Sequence, residues 1–249
     1  MQSQNQMLTT FMQNKKVLVV GGSRGIGAGV VDNFQSLGAK VYYFSRNERQ
    51  NIENDNKNEA IHISVDLHSA DSISKGFKYY DNNENSLDIL VNVAGINYCK
   101  NHNEITSDEF DEVLTVNLKS FFLTCKYSVE RMSKGGKIVN VSSIAGRNKS
   151  IVSGVHYTSS KAAIIGLTRQ FAHETGPLGI NINCVCPSQT ETNMLKESMT
   201  AKEKKKLERN IPLRRLATVE DVVNPIIFLC SEESSYIHGA CIDINGGQL

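Results

Sequence analysis

The chain is 249 residues long, with 40% hydrophobic and 21% charged side chains, the balance of an ordinary globular protein with ample length for one core. Its 27 Lys and Arg against 26 Asp and Glu leave a net charge of +1, so no global field draws it to nucleic acid or to an anionic membrane. Apolar runs reach about five residues, as at Ile226 to Cys230, far short of the ~20 of a membrane span.

Residues 1–14, rich in Gln and Asn, have neither a basic start nor a long apolar stretch, and are expected to form a disordered polar leader before a single domain over 15–249. Short β-branched runs then alternate with longer amphipathic stretches, the pattern of βαβ units. The first strand, Val17 to Val20, leads through Gly21-Gly22-Ser23-Arg24-Gly25-Ile26-Gly27 into a helix from Ile26 to Leu37. Glycines in this turn let N–H groups at the helix start approach a pyrophosphate. That makes Gly21, Ser23, Arg24, Gly25, Ile26 and Gly27 candidate cofactor contacts, although such a turn also serves simply to pack a helix on a strand.

The second strand, Lys40 to Ser45, ends on Ser45-Arg46 without the acidic residue that holds the ribose 2′-hydroxyl of NAD. Arg46, with Arg24 across the glycine turn, suits the 2′-phosphate of NADP; otherwise it only begins a solvated loop. A third strand, Ala60 to Val65, precedes Asp66-Leu67, where the carboxylate accepts from an adenine amino group or belongs to the N-cap region of a helix from Ser69 to Tyr80. The fourth strand, Asp88 to Asn92, ends in Asn92-Val93-Ala94-Gly95, small residues with room for a flat ring or a ribose.

A helical segment from Ser107 to Met132 carries Asn117, and a fifth strand from Lys137 closes on Ser142-Ser143. The next helix, Tyr157 to Thr175, opens with Tyr157 and Lys161 at i and i+4, on one face. An ammonium ~4 Å from a phenol at an effective dielectric of ~20 supplies ~4 kcal/mol, roughly three pKa units before desolvation, which brings Tyr157 toward the working pH. Ser143 is placed to hydrogen-bond a substrate oxygen, Asn117 to hold a water against Lys161, and His156 to face the substrate; each also has a purely structural explanation. Strands at Ile180 to Val185 and Ala240 to Ile244 and a helix at Val219 to Leu229 complete an α/β fold. It is a Rossmann-type, doubly wound, seven-stranded parallel sheet with helices on both faces. The Lys-rich stretch from Met194 to Arg209 is a solvated helix or a lid.

Six cysteines without CxxC spacing fit a reduced, cytoplasmic protein, with Cys184 and Cys186 packing on one face of a strand. No HExxH is present, and no metal is expected.

In order along the chain, these motifs resemble the short-chain dehydrogenase/reductase family. The family's glycine turn falls on Val20 to Gly27, its Asn-Asn-Ala-Gly on Asn92 to Gly95, and its tetrad on Asn117, Ser143, Tyr157 and Lys161. Its Pro-Gly-x-x-x-Thr falls on Pro187 to Thr192. Val20, Val93 and Ser188 depart from the pattern, and the Ser143 to Tyr157 interval is one residue longer than usual.

The resemblance implies hydride transfer between a nicotinamide and a carbonyl or alcohol carbon. Tyr157 is then the acid, Lys161 lowers its pKa and holds the nicotinamide ribose, Ser143 polarises the carbonyl, and Asn117 anchors a relay water. It further implies cofactor contacts from Asp66, Leu67 and Asn92 on the adenosine side, from Ala94 and Gly95, and from Pro187, Thr190 and Thr192. The nearest likeness within the family is to NADP(H)-dependent 3-oxoacyl-acyl-carrier-protein reductases, with an acyl-thioester or small-molecule substrate. Lys134 matches one basic position of those enzymes, while His173 replaces an Arg at another. A homotetramer is expected from the same resemblance, through helices bearing Phe121, Phe122, Ile164 and Leu167. The alternatives are a sugar, nucleotide-sugar or other alcohol dehydrogenase, with Lys100, Arg147, Lys149 and His156 meeting an anionic substrate, and a non-catalytic dinucleotide-binding regulator.

Overall fold

Seven strands pair in parallel in the order β3-β2-β1-β4-β5-β6-β7. They are β1 (Lys16–Val20), β2 (Lys40–Ser45), β3 (Ile61–Ser64), β4 (Ile89–Asn92), β5 (Lys137–Val141), β6 (Asn181–Pro187) and β7 (Cys241–Ile244). The computed structural model describes residues 9–49, 59–150, 152–192 and 200–249. Strand order reverses between β1 and β4, so the crevice at their carboxyl ends is where an open α/β sheet takes a ligand.

Both faces of the sheet are covered, which is why the central β1 and β4 and the adjoining β2 run nearly continuously apolar rather than alternating with polar residues. Val17 and Val19 of β1 point into one core, with Val41 and Tyr43 of β2; Leu18 and Val20 point into the other, with Tyr42 and Phe44. The first core lies under α1 (Gly25–Ser36) and α7 (Val219–Leu229), which pack on each other. The second lies under α2 (Ala70–Asp81), α4 (Ser120–Val129) and α5 (Val155–Thr175). The remaining helices are α3 (Ser107–Leu114) and α6 (Ala201–Arg209). A side-chain hydroxyl starts four of these helices: Ser69 caps α2, Thr106 α3, Thr200 α6 and Thr218 α7.

Three expectations need correction. Residues 9–12 form a helical turn, and Met12 is fully buried with the β1 and α1 core, so apolar packing begins before Lys15. Residues 1–8 lie outside the described residues. The segment from Ser107 is not one α-helix: Thr115–Lys119 is a π turn between α3 and α4. Phe121 and Ile164 belong to the interior, and among the four apolar residues named above only Phe122 is well exposed, at 44%. Of the Lys-rich stretch, 193–199 lies outside the described residues, and α6 is its helical part.

Candidate active site

The glycine turn joins β1 to α1 at the reversal of strand order. Gly27 tolerates no side chain, because a Cβ there would lie 2.0 Å from the Gly21 carbonyl oxygen. In contrast to the four hydroxyl-started helices, α1 opens on Arg24, whose side chain makes no capping bond, and its first turn holds no acidic residue. Its N-terminal N–H groups therefore remain a cradle for an anion, and this fits the pyrophosphate of a dinucleotide. The Thr192 methyl group would lie 3.3 Å from a Cβ at Gly25, so the segment after β6 closes over the same turn. Lys204 of α6 ion-pairs with Glu191 and ties that segment down from above. Thr190, 7% exposed, folds its hydroxyl back to the Ser188 carbonyl, and Pro187 ends β6 beside Ile244.

Beyond β2, Ser45 is buried and its hydroxyl donates to the Asn47 carbonyl, while Arg46 and Arg24 are exposed. The Asp66 carboxylate accepts from the His68 N–H and pairs with His68 Nδ1 at 2.9 Å, and these bonds hold its pKa down. His68 Nε2 lies 3.0 Å from Glu112, which in turn accepts from the Tyr98 hydroxyl. Burial opposes charge on His68, yet the two carboxylates keep its pKa above the usual value. Sequence spacing gives no sign of this chain, because Glu112 arrives from α3.

Ser143, Tyr157 and Lys161 converge where β5 meets α5. Ser143 starts a short 3-10 turn, Ile144–Gly146, accepting from the Ala145 N–H, and its side chain faces the Tyr157 phenol. Burial raises the Tyr157 pKa, and Ser143 acts against it. Lys161, 3% exposed, donates from Nζ to the Val141 carbonyl at 2.9 Å, and its ammonium stands 5.6 Å from the centre of the Tyr157 ring. Burial lowers its pKa to about 8. Lys161 thus stands beside the Tyr157 ring, but burial raises the Tyr157 pKa where the i, i+4 spacing was expected to lower it.

Asn117 is fully buried in the π turn: its Oδ1 accepts from the Ile96 N–H at 2.8 Å, and its Nδ2 donates to the Ile96 carbonyl and to Ser160. The amide stitches the loop after β4 to α5, in place of the free water-holding group expected. It still borders Lys161, since a Cβ at Gly95 would lie 3.4 Å from both Asn117 Oδ1 and Lys161 Nζ. Two supporting residues escaped the sequence. Ser142 donates to the Lys161 carbonyl, and Gly146 lies so close to α5 that a Cβ would come within 2.6 Å of the Lys161 carbonyl carbon.

A family model described as enoyl-(acyl carrier protein) reductase matches residues 20–248. The 3-oxoacyl-[acyl-carrier-protein] reductase FabG of Aquifex aeolicus is 37% identical over 96% of this chain and 98% of its own length. The chain belongs to the short-chain dehydrogenase/reductase family. Solved structures agree: a short chain dehydrogenase from Leptospira borgpetersenii with bound NAD+ is 28% identical with a TM-score of 0.88, covering 96% of this chain and 94% of that one. The 3-oxoacyl-[acyl-carrier protein] reductase of Brucella melitensis is 27% identical with a TM-score of 0.86, covering 98% and 95%. As a short-chain dehydrogenase/reductase, the protein is an oxidoreductase that uses a nicotinamide dinucleotide.

Against the family pattern, several expected contacts have other partners. Asn92 is fully buried, donating to Asn140 and accepting from Thr124, so its amide builds the sheet interior rather than the adenosine pocket. His156 is fully buried as well; its Nδ1 accepts from the Tyr157 N–H, and its ring packs against Tyr98. Arg147 pairs with Asp243 and Lys100 with Glu109, so two of the cations foreseen for an anionic substrate are neutralised within the chain. Lys134 precedes β5, at the amino ends of the strands, whereas the site lies at their carboxyl ends. Leu67, Ala94 and Gly95 are half-buried along the crevice, as a cofactor wall requires. Among the described residues no cluster of three or more His, Cys, Asp or Glu is disposed to hold a metal ion, and no helix is long and apolar enough to cross a membrane.

Proposed function

We propose that this enzyme reduces 3-oxoacyl thioesters carried on an acyl carrier protein, with NADPH as its cofactor. The observation that carries the substrate class is the pairing of Arg147 with Asp243 and of Lys100 with Glu109, which takes up two of the cations that a sugar phosphate or nucleotide sugar would need and favours an uncharged acyl chain. The near full-length likeness to 3-oxoacyl-[acyl-carrier-protein] reductases supports the same choice. For the cofactor, exposed Arg24 and Arg46 around a strand end without an acid favour the 2′-phosphate.

The bound nicotinamide supplies the hydride. Tyr157 gives its phenolic proton to the substrate oxygen, and Ser143, facing that phenol, donates to the same oxygen as charge builds there. Lys161 is cationic below about pH 8 and offers its remaining N–H groups to the nicotinamide ribose. Asn117 holds the loop at Ile96 against α5, which keeps Gly95 clear for that ribose. A cytoplasmic homotetramer is part of the same proposal. Six free cysteines suit a reducing compartment, and Phe122 on α4 with the open surface at Gly166 on α5 offers an apolar face to a second copy.

Turnover with 3-oxoacyl thioesters and with keto-sugars, each with NADPH and NADH, tests the proposal. Thioesters with NADPH are expected to give the largest kcat/KM; a preference for keto-sugars would replace the substrate class.

A further inference from the structure

Three thiols that take no part in the reaction lie together at the β6–β7 edge of the sheet. Cys184 and Cys241 are register partners on adjacent parallel strands, so their side chains stand side by side on one face, and Cys186 shares that face two residues along. Cys184 and Cys186 are fully buried with Phe121, Ile164 and Ile165, whereas Cys241 is partly exposed. Around them, Arg147 sits beside Asp243, and Arg169 of α5 reaches Cys241 electrostatically.

We propose that Cys241 and Cys184 form a hydroperoxide-sensitive thiol pair that closes to an intramolecular disulfide and slows the enzyme. Neighbouring strands lie about 4.8 Å apart, inside the Cα separation of roughly 4.4 to 6.8 Å that a disulfide spans. Cys184 donates its S–H to the Val185 carbonyl at 3.6 Å; the adjoining Cys184 thiol, with Arg169 and Arg147, lowers the Cys241 pKa, while Cys186 and Cys241 push that of Cys184 up. An accessible thiolate next to a resolving thiol is the arrangement of a redox-responsive cysteine. In the first step the Cys241 thiolate attacks hydrogen peroxide, the O–O bond breaks, and a proton completes one water, leaving a sulfenic acid. In the second, the Cys184 sulfur displaces the hydroxyl from Cys241, and its proton leaves with that hydroxyl as a second water. Two thiols lose two electrons, and the peroxide gains them.

The link affects the site for two reasons. It draws β7 onto β6 just upstream of Pro187, where the cofactor segment to Thr192 begins, and it changes the surroundings of Cys184 and Cys186, both within electrostatic reach of Lys161. Phe121, packed with these thiols, also lies under the Lys161 ammonium, 5.5 Å from its ring centre.

The experiment treats the whole protein with hydrogen peroxide and follows intact mass, non-reducing peptide mapping and reductase turnover. The expected product has lost two hydrogens, joins the Cys184 peptide to the Cys241 peptide within one chain, and reverts with dithiothreitol. Its turnover falls several-fold and returns on reduction. Cys241→Ser removes the link, and Cys186→Ala keeps it. An unlinked product, a link between two chains, or an equal, dithiothreitol-reversible loss of turnover in peroxide-treated Cys241→Ser overturns the proposal. The mass readout is independent of the proposed substrate, so failure of the substrate class and failure of the thiol pair are told apart.

Discussion

The Ser143 side chain faces the Tyr157 phenol and favours its ionised form, where burial opposes it. In the proposed mechanism the proton donor therefore depends on Ser143 as well as on Lys161. Tyr157→Phe is expected to lower kcat by ~10² to ~10⁴ with little change in NADPH affinity. Ser143→Ala is expected to lower kcat and move the basic limb of the pH–rate profile upward. Steady-state kinetics with cofactor titration checks both; near wild-type turnover of Tyr157→Phe would remove the phenol from the mechanism.

Asn117 makes three hydrogen bonds in the interior, two to the Ile96 backbone and one to Ser160. Asn117→Ala leaves the Ile96 groups unpaired, and a loss of about 2 to 4 kcal/mol in stability is expected on the scale of buried unsatisfied groups. Denaturant titration measures it. An unchanged midpoint would mean that the loop after β4 repairs itself.

Lys161 makes stability depend on pH in a defined direction. Its folded pKa of about 8 lies below the unfolded 10.5, so between those values the unfolded chain binds more protons and stability rises with pH. The penalty is complete below about pH 8, and relief across the window amounts to about 3 kcal/mol. Lys137, also buried and lowered, adds a slope of the same sign. The comparison is therefore wild type against Lys161→Met, whose curve is expected to be flatter from pH 8 to 10.5.

Arg46→Ala is expected to weaken NADPH by about tenfold to a hundredfold, the worth of a hydrogen bond to a charged group, and to leave NADH nearly unchanged. Isothermal titration with both cofactors measures this. Equal wild-type affinities would contradict the NADP assignment.

The strands, the glycine turn and Tyr157 with Lys161 were legible because they depend on local periodicity and short spacings. Val17 to Val20 reads as a strand from its own composition, and the i, i+4 relation of Tyr157 and Lys161 needs only a helix. Long-range pairing was not legible: Arg147 finds Asp243 on β7, His68 finds Glu112 on α3, and Asn92 finds Asn140 on β5. Each would pass for a ligand contact until its partner is known. Met12 was missed although Met7, Leu8, Phe11 and Met12 fall at helical spacing, because a run that short amid Gln and Asn reads as polar until the core it packs on is known.

The π turn at Thr115–Lys119 makes this part of the chain sensitive to length more than to composition. Buried Val116, Ser120, Thr124 and Ser128 recur every four residues, whereas an α-helix returns to the same face every 3.6, and the wide turn absorbs part of that drift. Because the wide turn takes up one spare residue, removing a single residue there would let it close into α-helix while α3 and α4 keep the faces they present. A further insertion would instead rotate α4 by about 100°, carrying Phe121 from the Lys161 side of the core and Thr124 from Asn92. One-residue insertions between Leu114 and Ser120 should thus be far more damaging than one-residue deletions at the same place, because the turn already holds all the slack the architecture has.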